Sequence, residues 1–188
     1  MTESDEQSNM SELILVDSFD NEIGHDTKQR CHFREPKLHR ALSVFVINDA
    51  GEMLITRRSE LKKTWPLYWS NACCSHPPKG QDCPSAAANR LYEELGVRAP
   101  VRFLFKFEYR AQYNEEWGEH ELDWVFLCGH NGPFLANPAE IVETRFVSIL
   151  QLRSELQNDP AKFTPWFHLC VERALEFCLK SPVFTPDF

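Results

Sequence analysis

A thiol, an imidazole and two carboxylates lie close together in two short segments of this chain. Cys74 and His76 are two positions apart, and Glu119 and Glu121 are also separated by a single residue. A thiol and a carboxyl group can both give and take protons, and imidazole and carboxylate groups bind metal ions. These residue types therefore indicate a metal-dependent proton-transfer site.

Two further histidines, His32 and His39, lie upstream and are seven positions apart. With His76, Glu119 and Glu121 they would form a site of five nitrogen and oxygen ligands, which exceeds the four ligands of a structural zinc site. Imidazole favours a transition metal, and carboxylates add tolerance for Mn²⁺ and Mg²⁺. Taken alone, a histidine is usually an ordinary surface or core residue rather than a metal ligand.

The acidic residues of the second segment alternate along a predicted strand. Glu119, Glu121 and Asp123 share one face because alternate side chains of a strand point the same way. Like charges stacked in this way repel each other unless a cation lies between them. The alternative interpretation is the solvated face of an edge strand.

The cysteines offer a second metal hypothesis, in which Cys73, Cys74, His76 and Cys83 bind zinc. Adjacent cysteines do not easily reach one tetrahedral ion, and the chain has no CxxC pair, so this hypothesis is the weaker one. The seven cysteines are odd in number and scattered, which indicates reduced thiols rather than a disulfide framework.

Composition limits the classes of function. The 188 residues carry a formal net charge of −8, which argues against a nucleic-acid partner. No apolar run is long enough to span a bilayer, and the acidic N-terminus lacks the basic start and apolar stretch of a secretory signal. We therefore expect a cytoplasmic protein that acts on a small molecule, as a monomer or weak homo-oligomer.

The patterns predict an α+β fold in which a mixed, mostly hairpin-built sheet packs against helices. We expect a disordered tail over residues 1–11 and a single domain over 12–188. Residues 25–38 are predicted to be irregular and 59–83 to form a long loop. One helix begins after Asp82 and ends at Gly96, and another begins at Pro165. The predicted strands are 13–16, 39–47, 52–58, 101–113, 119–128 and 144–149.

Arg90 and Glu94 lie one helical turn apart in the first of these helices. Such a spacing is typical of an ordinary surface ion pair. The functional alternative is a carboxylate that holds Mg²⁺ beside an arginine that binds a phosphate group.

The same helix carries a segment that resembles the Nudix box, GX5EX7REUXEEXGU, in which U is an aliphatic residue. Its final part is intact from Glu93 to Val97, but Ser75 stands at the first glycine, Gln81 at the first glutamate and Asn89-Arg90 at the Arg-Glu pair. Nudix hydrolases use that Arg-Glu pair to bind metal and activate water. Its loss argues against diphosphate hydrolysis.

With these departures, the chain resembles one Nudix-fold family, the type I isopentenyl-diphosphate isomerases, over about residues 13 to 180. The resemblance implies a Nudix-like mixed β-sheet core with flanking helices. It also implies interconversion of isopentenyl and dimethylallyl diphosphate, through a tertiary carbocation, in isoprenoid biosynthesis. The matching segments are Cys31-His32, Leu38-His39, Thr56-Arg57-Arg58, Lys62-Lys63-Thr64-Trp65-Pro66, Trp69-Ser70-Asn71, Cys74-Ser75-His76-Pro77, Tyr109-Arg110-Ala111, Glu119-His120-Glu121 and Phe163-Thr164-Pro165-Trp166-Phe167.

The resemblance also implies a role for each matching site residue. Cys74 would be an acid/base thiol opposite Glu121, which Tyr109 would assist, while Trp166 and Trp69 would wall the pocket. Glu94 would bind the Mg²⁺ that accompanies the substrate diphosphate. Mn²⁺, Zn²⁺ or Mg²⁺ would be held by His32, His39, His76, Glu119 and Glu121, and the diphosphate by Lys28, Arg58, Lys62 and Arg90. Ser75 is a departure, since bacterial relatives often carry glycine after the cysteine.

Two other functions remain open at this stage. A Nudix hydrolase of a nucleoside diphosphate derivative would release phosphate or nucleotide, but would need the Arg-Glu pair. A non-enzymatic Nudix-fold binding module would bind metal without turnover, but would have no need of the cysteine, histidine and glutamate positions present here.

Overall fold

The computed structural model describes residues 11–180, except for the side chains of residues 179 and 180. The predicted tail over residues 1–11 lies, apart from Ser11, outside the described residues. The described part contains nine strands and four α-helices. The fold is α+β, as predicted.

The strands in chain order are β1 (Glu12–Val16), β2 (Glu22–Thr27), β3 (His39–Ile47), β4 (Met53–Arg58), β5 (Trp69–Ser70), β6 (Cys73–Ser75), β7 (Arg102–Gln112), β8 (Gly118–Gly129) and β9 (Ile141–Val147). The α-helices are α1 (Lys28–His32), α2 (Cys83–Leu95), α3 (Ile149–Asn158) and α4 (Pro165–Lys180), and a short 3₁₀ helix spans Pro160–Lys162.

Strand β3 is the centre of the sheet. Along one side it pairs in parallel with β8, which in turn pairs antiparallel with β7. Along its other side it pairs antiparallel with β1, β6 and β4 at successive positions. Strand β9 then pairs with β4. Because β3 meets so many neighbours, it brings together segments that are far apart in the sequence.

Helices cover both faces of the sheet around β3. Phe45 and Ile47 belong to the core that contains α4 residues such as Phe167, whereas Val44 and Val46 belong to the core beneath α2. A strand buried on both faces is nearly continuously apolar, which explains the sequence of β3.

Helix α2 begins and ends as the sequence predicts. The Asp82 carboxylate caps it by accepting a hydrogen bond from the Ser85 N–H at 2.9 Å. Gly96 ends it with a φ of +71°, and a Cβ there would approach the Leu135 Cβ to 2.9 Å. Left-handed backbone and close packing therefore both require glycine at this position.

The structure corrects several local predictions. Residues 25–38 are not irregular throughout, because α1 forms in spite of the nearby Pro36. The predicted loop over 59–83 contains β5 and β6, and α3 was not predicted. Strand β7 does not alternate cleanly over its whole length. A register shift between Phe103 and Phe105 leaves Phe103 exposed while Phe105 is buried.

No helix among residues 11–180 combines the length and the apolar character that crossing a membrane requires.

Candidate active site

Three histidines and two glutamates converge at one end of the sheet. His32 ends α1, His39 begins β3, and His76 follows β6. Glu119 and Glu121 lie on the same face of β8, as the alternation predicts, and His39 is the register partner of Glu121. One potential ligand atom from each of the five residues lies within 4.8 Å of all the others.

The rings of this cluster are oriented by hydrogen bonds behind them. His32 Nδ1 lies 2.6 Å from the Lys28 carbonyl oxygen, and His39 Nδ1 lies 2.7 Å from the Lys37 carbonyl oxygen. Each carbonyl accepts from the protonated Nδ1, so the Nε2 atom of each ring is left to face the cluster. His32 Nε2 is 2.8 Å from Glu119 Oε2.

Burial and an unpartnered atom support a cation site at this cluster. Glu119 and Glu121 are only 6% and 8% exposed, so the interpretation of this strand as a solvated edge is wrong. His39 Nε2 is buried without a hydrogen-bond partner among residues 11–180. A metal ion between the carboxylates and imidazoles would satisfy it, and the mixed nitrogen and oxygen donors suit a divalent metal. The cluster could therefore hold one.

The charge states of two residues in the cluster suit metal binding. Burial lowers the pKa of His76 well below its ordinary value, which keeps the imidazole neutral and able to bind a metal. Burial acts to raise the pKa of Glu121, but the neighbouring His39 and His76 imidazoles outweigh it and hold that pKa well below its ordinary value. Glu121 is therefore a carboxylate. His76 Nε2 is 2.9 Å from its Oε1 atom.

Tyr109 completes the surroundings of Glu121. Its phenol donates a hydrogen bond to Glu121 Oε2 at 2.6 Å, across the β7–β8 pairing. Burial and then the Glu121 charge raise the pKa of Tyr109 well above its ordinary value, so the phenol stays protonated. One oxygen of Glu121 thus faces the histidines and the other faces the Tyr109 proton.

Cys74 lies on β6 beside β3, in a polar setting within the core. Its Sγ–H donates to Asn71 Oδ1 at 3.0 Å, and the Trp166 indole N–H donates to the sulfur at 3.2 Å. Burial, and then the nearby Asp123, raise the pKa of Cys74 to about 12. The side chain is therefore a thiol at neutral pH.

Trp166 joins the two halves of the site. Its ring lies 6.2 Å from that of Tyr109 between centroids, while its N–H contacts Cys74. Trp65 packs edge-on against it at 5.3 Å and was not predicted, although it lies in a segment that carried the family resemblance. Trp69 instead has the Arg145 guanidinium over its ring at 4.6 Å.

A narrow cleft opens beside Cys74. Its lining includes Arg58, Lys62, Cys73, Glu94 and Glu140. Arg58 and Lys62, two of the four cations expected to hold a diphosphate, line the cleft. A third, Arg90, binds the cleft residue Glu94 at 2.7 Å.

The fourth cation, Lys28, interacts electrostatically with two of the other three, Lys62 and Arg90. Burial and then the charge of Lys62 lower the pKa of Lys28, and Arg90 adds to this effect.

Glu94 is only 4% exposed, so its pair with Arg90 is not an ordinary surface pair. Burial raises the pKa of Glu94, although Arg90 opposes this.

The structure does not support the cysteine zinc hypothesis. Among residues 11–180, the histidine and glutamate cluster is the one group of three or more potential ligands that converges, and it contains no cysteine. Cys73 packs in the core under α2 and faces away from Cys74. All seven cysteines are free, as predicted.

Sequence reasoning missed several polar residues around the site. Asn71 contacts the Cys74 thiol, and Ser43 donates to the buried Asp123 at 2.7 Å. Thr64 donates to Glu119 at 3.0 Å. Glu140 binds both Lys62 and Arg90. Asn71 adjoins the cysteine segment and could have been found there, but the sequence gives no signal for Glu140.

The fold and the box-bearing helix define the class of protein. The family model of the NUDIX domain matches residues 37–167. The crystal structure of DR0079 from Deinococcus radiodurans superimposes with a TM-score of 0.70 at 18% identity, covering 90% of this chain and 99% of that one. The chain is thus a Nudix-domain protein.

Within that class, curated relatives identify the family. Isopentenyl-diphosphate Delta-isomerase 1 of Photorhabdus laumondii is 38% identical over 160 residues, covering 84% of this chain and 91% of that protein. The protein of the same name from Aromatoleum aromaticum is 37% identical over 164 residues, covering 87% and 92%. The chain belongs to the isopentenyl-diphosphate Delta-isomerase family.

Proposed function

We propose that the protein interconverts isopentenyl and dimethylallyl diphosphate by moving protons between Cys74, Glu121 and the substrate. The observation that carries this proposal is the position of Trp166, which contacts the Cys74 thiol on one side and packs near Tyr109, the partner of Glu121, on the other. Two proton-transfer groups are thereby linked through one aromatic wall, beside a cleft lined with cations.

The chemistry requires two such groups. A proton added to the terminal CH₂ carbon of the unactivated alkene takes up the π electrons and leaves a tertiary carbocation. Loss of a proton from the neighbouring CH₂ group then forms the new double bond, so protons and electrons balance. The reaction is reversible, so each group serves as the acid in one direction and as the base in the other.

The protonation states support this division of roles. Cys74 is a protonated thiol, while Glu121 is ionised and carries the Tyr109 phenol as a hydrogen-bond donor. A proton can therefore enter or leave at the sulfur and at the Glu121 and Tyr109 pair. Two groups from different strands can act on opposite faces of a flat alkene without turning it over.

The aromatic residues protect the cationic intermediate. The rings of Trp166 and Trp65 would stabilise the carbocation, and a desolvated indole contributes roughly 2 kcal/mol or more to such a contact. Trp166 is 4% exposed and Trp65 is 5% exposed. A pocket walled by such side chains also excludes water that would otherwise react with the cation.

Binding depends on two further sets of residues. Lys28, Arg58, Lys62 and Arg90 bind the diphosphate, and Glu94 holds the Mg²⁺ that accompanies it. The cluster of His32, His39, His76, Glu119 and Glu121 holds Mn²⁺, Zn²⁺ or Mg²⁺. When bound there, the metal supplies positive charge that sets the acidity of the Glu121 carboxyl group.

The test is incubation with isopentenyl diphosphate, Mg²⁺ and trace Mn²⁺ or Zn²⁺ in D₂O, followed by NMR. We expect dimethylallyl diphosphate with deuterium in a methyl group. Unchanged substrate under all three metals would contradict the proposal. Free phosphate or diphosphate would instead identify a hydrolase, although the chain has Asn89 and Arg90 where the Nudix hydrolases carry Arg-Glu.

A further inference from the structure

Glu140 is a charged residue of the cleft that has no role in the proposed reaction. It lies immediately before β9 and lines the cleft together with Lys62 and Glu94. Its backbone is fixed on both sides, because its N–H donates to the Asn137 carbonyl and its own carbonyl accepts from the Ser59 N–H. Its side chain is 22% exposed, so the carboxylate borders on solvent.

The Glu140 carboxylate binds two of the cations that the proposed function assigns to the diphosphate. One oxygen is in direct contact with Lys62 Nζ, and the other lies 3.3 Å from an Arg90 guanidinium nitrogen. That same nitrogen binds Glu94 at 2.7 Å. In the empty cleft, these donors are therefore directed at protein carboxylates.

A diphosphate group would need the same donors. Phosphate oxygens and carboxylate oxygens accept equivalent charge-assisted hydrogen bonds from lysine and arginine, so the two anions compete for one set of N–H groups. They also repel each other at close range. A partly exposed carboxylate can rotate towards solvent when a stronger anion takes over the cations that hold it.

We propose that Glu140 is an internal counterion that occupies Lys62 and Arg90 until the substrate diphosphate displaces it. This inference rests on the proposed function, since it places the diphosphate among these cations. By pairing with these partly buried cations, Glu140 offsets the unfavourable free energy that they would have without an anionic partner when no substrate is bound. It also weakens the binding of substrate and product equally, since both carry the same diphosphate.

The opposite role for Glu140 would be to hold Lys62 in place for the substrate. The two roles predict opposite signs when the charge is removed. A displaced counterion weakens anion binding, so its removal tightens the complex, whereas the loss of a positioning residue weakens the complex.

The experiment measures the binding of inorganic pyrophosphate to the full-length protein by titration calorimetry, with and without Mg²⁺. For Glu140→Gln we expect a Kd about tenfold lower than that of the wild type, a difference that shrinks at high salt because charge repulsion is screened. An unchanged or higher Kd would overturn the proposal.

Two further variants separate this effect from altered stability. Glu155→Gln removes the partner of Arg145, an ion pair that does not line the cleft, and should leave the Kd for pyrophosphate unchanged. Glu140→Asp keeps the charge but shortens its reach to Lys62, so it should tighten binding less than Glu140→Gln. If circular dichroism shows that Glu140→Gln does not fold, Glu140→Asp still shows whether the Kd for pyrophosphate falls or rises.

The binding assay also distinguishes this inference from the proposed function. Pyrophosphate has no alkene, so its binding does not depend on isomerisation. If the wild type has no isomerase activity but Glu140→Gln binds pyrophosphate more tightly, the counterion role is supported and the proposed reaction is rejected. If the wild type is an isomerase but the Kd of Glu140→Gln for pyrophosphate does not fall, the reaction is supported and the counterion role is rejected.

Discussion

The indole N–H of Trp166 donates to the sulfur of Cys74 at 3.2 Å and lies 3.0 Å from the Ser70 hydroxyl oxygen. The ring that closes the pocket thus also fixes the thiol. An aromatic residue without this donor would keep the wall but release the sulfur. The two contributions of Trp166 can therefore be separated by substitution.

Trp166→Phe should lower kcat roughly fivefold, the effect of losing one hydrogen bond worth about 1 kcal/mol at a reacting group. The aromatic face remains, so KM should change little. Steady-state kinetics with isopentenyl diphosphate provides the measurement. A large rise in KM with unchanged kcat would assign Trp166 to substrate binding alone.

Cys74→Ala should lower turnover by at least ~10², the usual scale for losing a general acid or base. The fold should persist, because Cys74 is only partly buried. Cys73→Ala is the matched control, since Cys73 packs in the core under α2 and should affect stability more than turnover. Loss of activity in the Cys73 variant alone would mean that the neighbouring thiol is the reactive one.

His39→Asn should weaken metal binding at the cluster by at least ~10²-fold, since even residues behind a ligand typically contribute 10- to 100-fold to metal affinity. Its Nε2 atom is buried, lies 3.6 Å from Glu121 Oε1 and makes no hydrogen bond within the described chain. Metal content after dialysis, measured by mass spectrometry, gives the result without an activity assay. His120→Asn is the control, because His120 pairs with Glu108 on the opposite face of β8. Equal metal loss in both variants would contradict the assigned ligand set.

Glu140 should make stability depend on pH in the acid range. Burial acts to raise its pKa, but Lys62 and then Arg90 outweigh it and lower that pKa from 4.5 to about 2. A carboxylate with a depressed pKa stabilises the fold above its unfolded value, and this contribution disappears as the pH falls from about 4.5 to about 2.

The measurement is urea unfolding of the wild type and Glu140→Gln at several pH values. At neutral pH the wild type should be more stable by at most ~3 kcal/mol, the free energy that corresponds to this pKa difference. The difference should shrink steadily below pH 4.5. A difference that stays constant down to pH 3 would show that the ion pairs do not depress this pKa.

Local patterns predicted much of the scaffold. The caps of α2 at Asp82 and Gly96, the central strand β3 and the shared face of Glu119 and Glu121 all depend on near neighbours in the sequence. These features can therefore be predicted from the residue types in a short stretch of sequence.

Other features depend on contacts between distant segments and escaped sequence reasoning. The bulge at Phe103 adjusts β7 to its pairing with β8, and α1 buries Cys31 and His32 against other elements. Glu140 reaches Lys62, which is 78 positions away in the chain. No periodic pattern marks such a contact, because it arises from tertiary packing.

The parallel pairing of β3 with β8 has a consequence for the proposed metal site. His39 faces Glu121 only because two strands separated by 82 positions align in one register. A slip of a single residue would turn every side chain of one strand to the other face and separate the ligands. Parallel contacts between distant segments also form slowly during folding. The proposed metal site should therefore form only after β3 and β8 have paired in the correct register. The rate of metal binding during refolding would then report the rate at which this pairing forms.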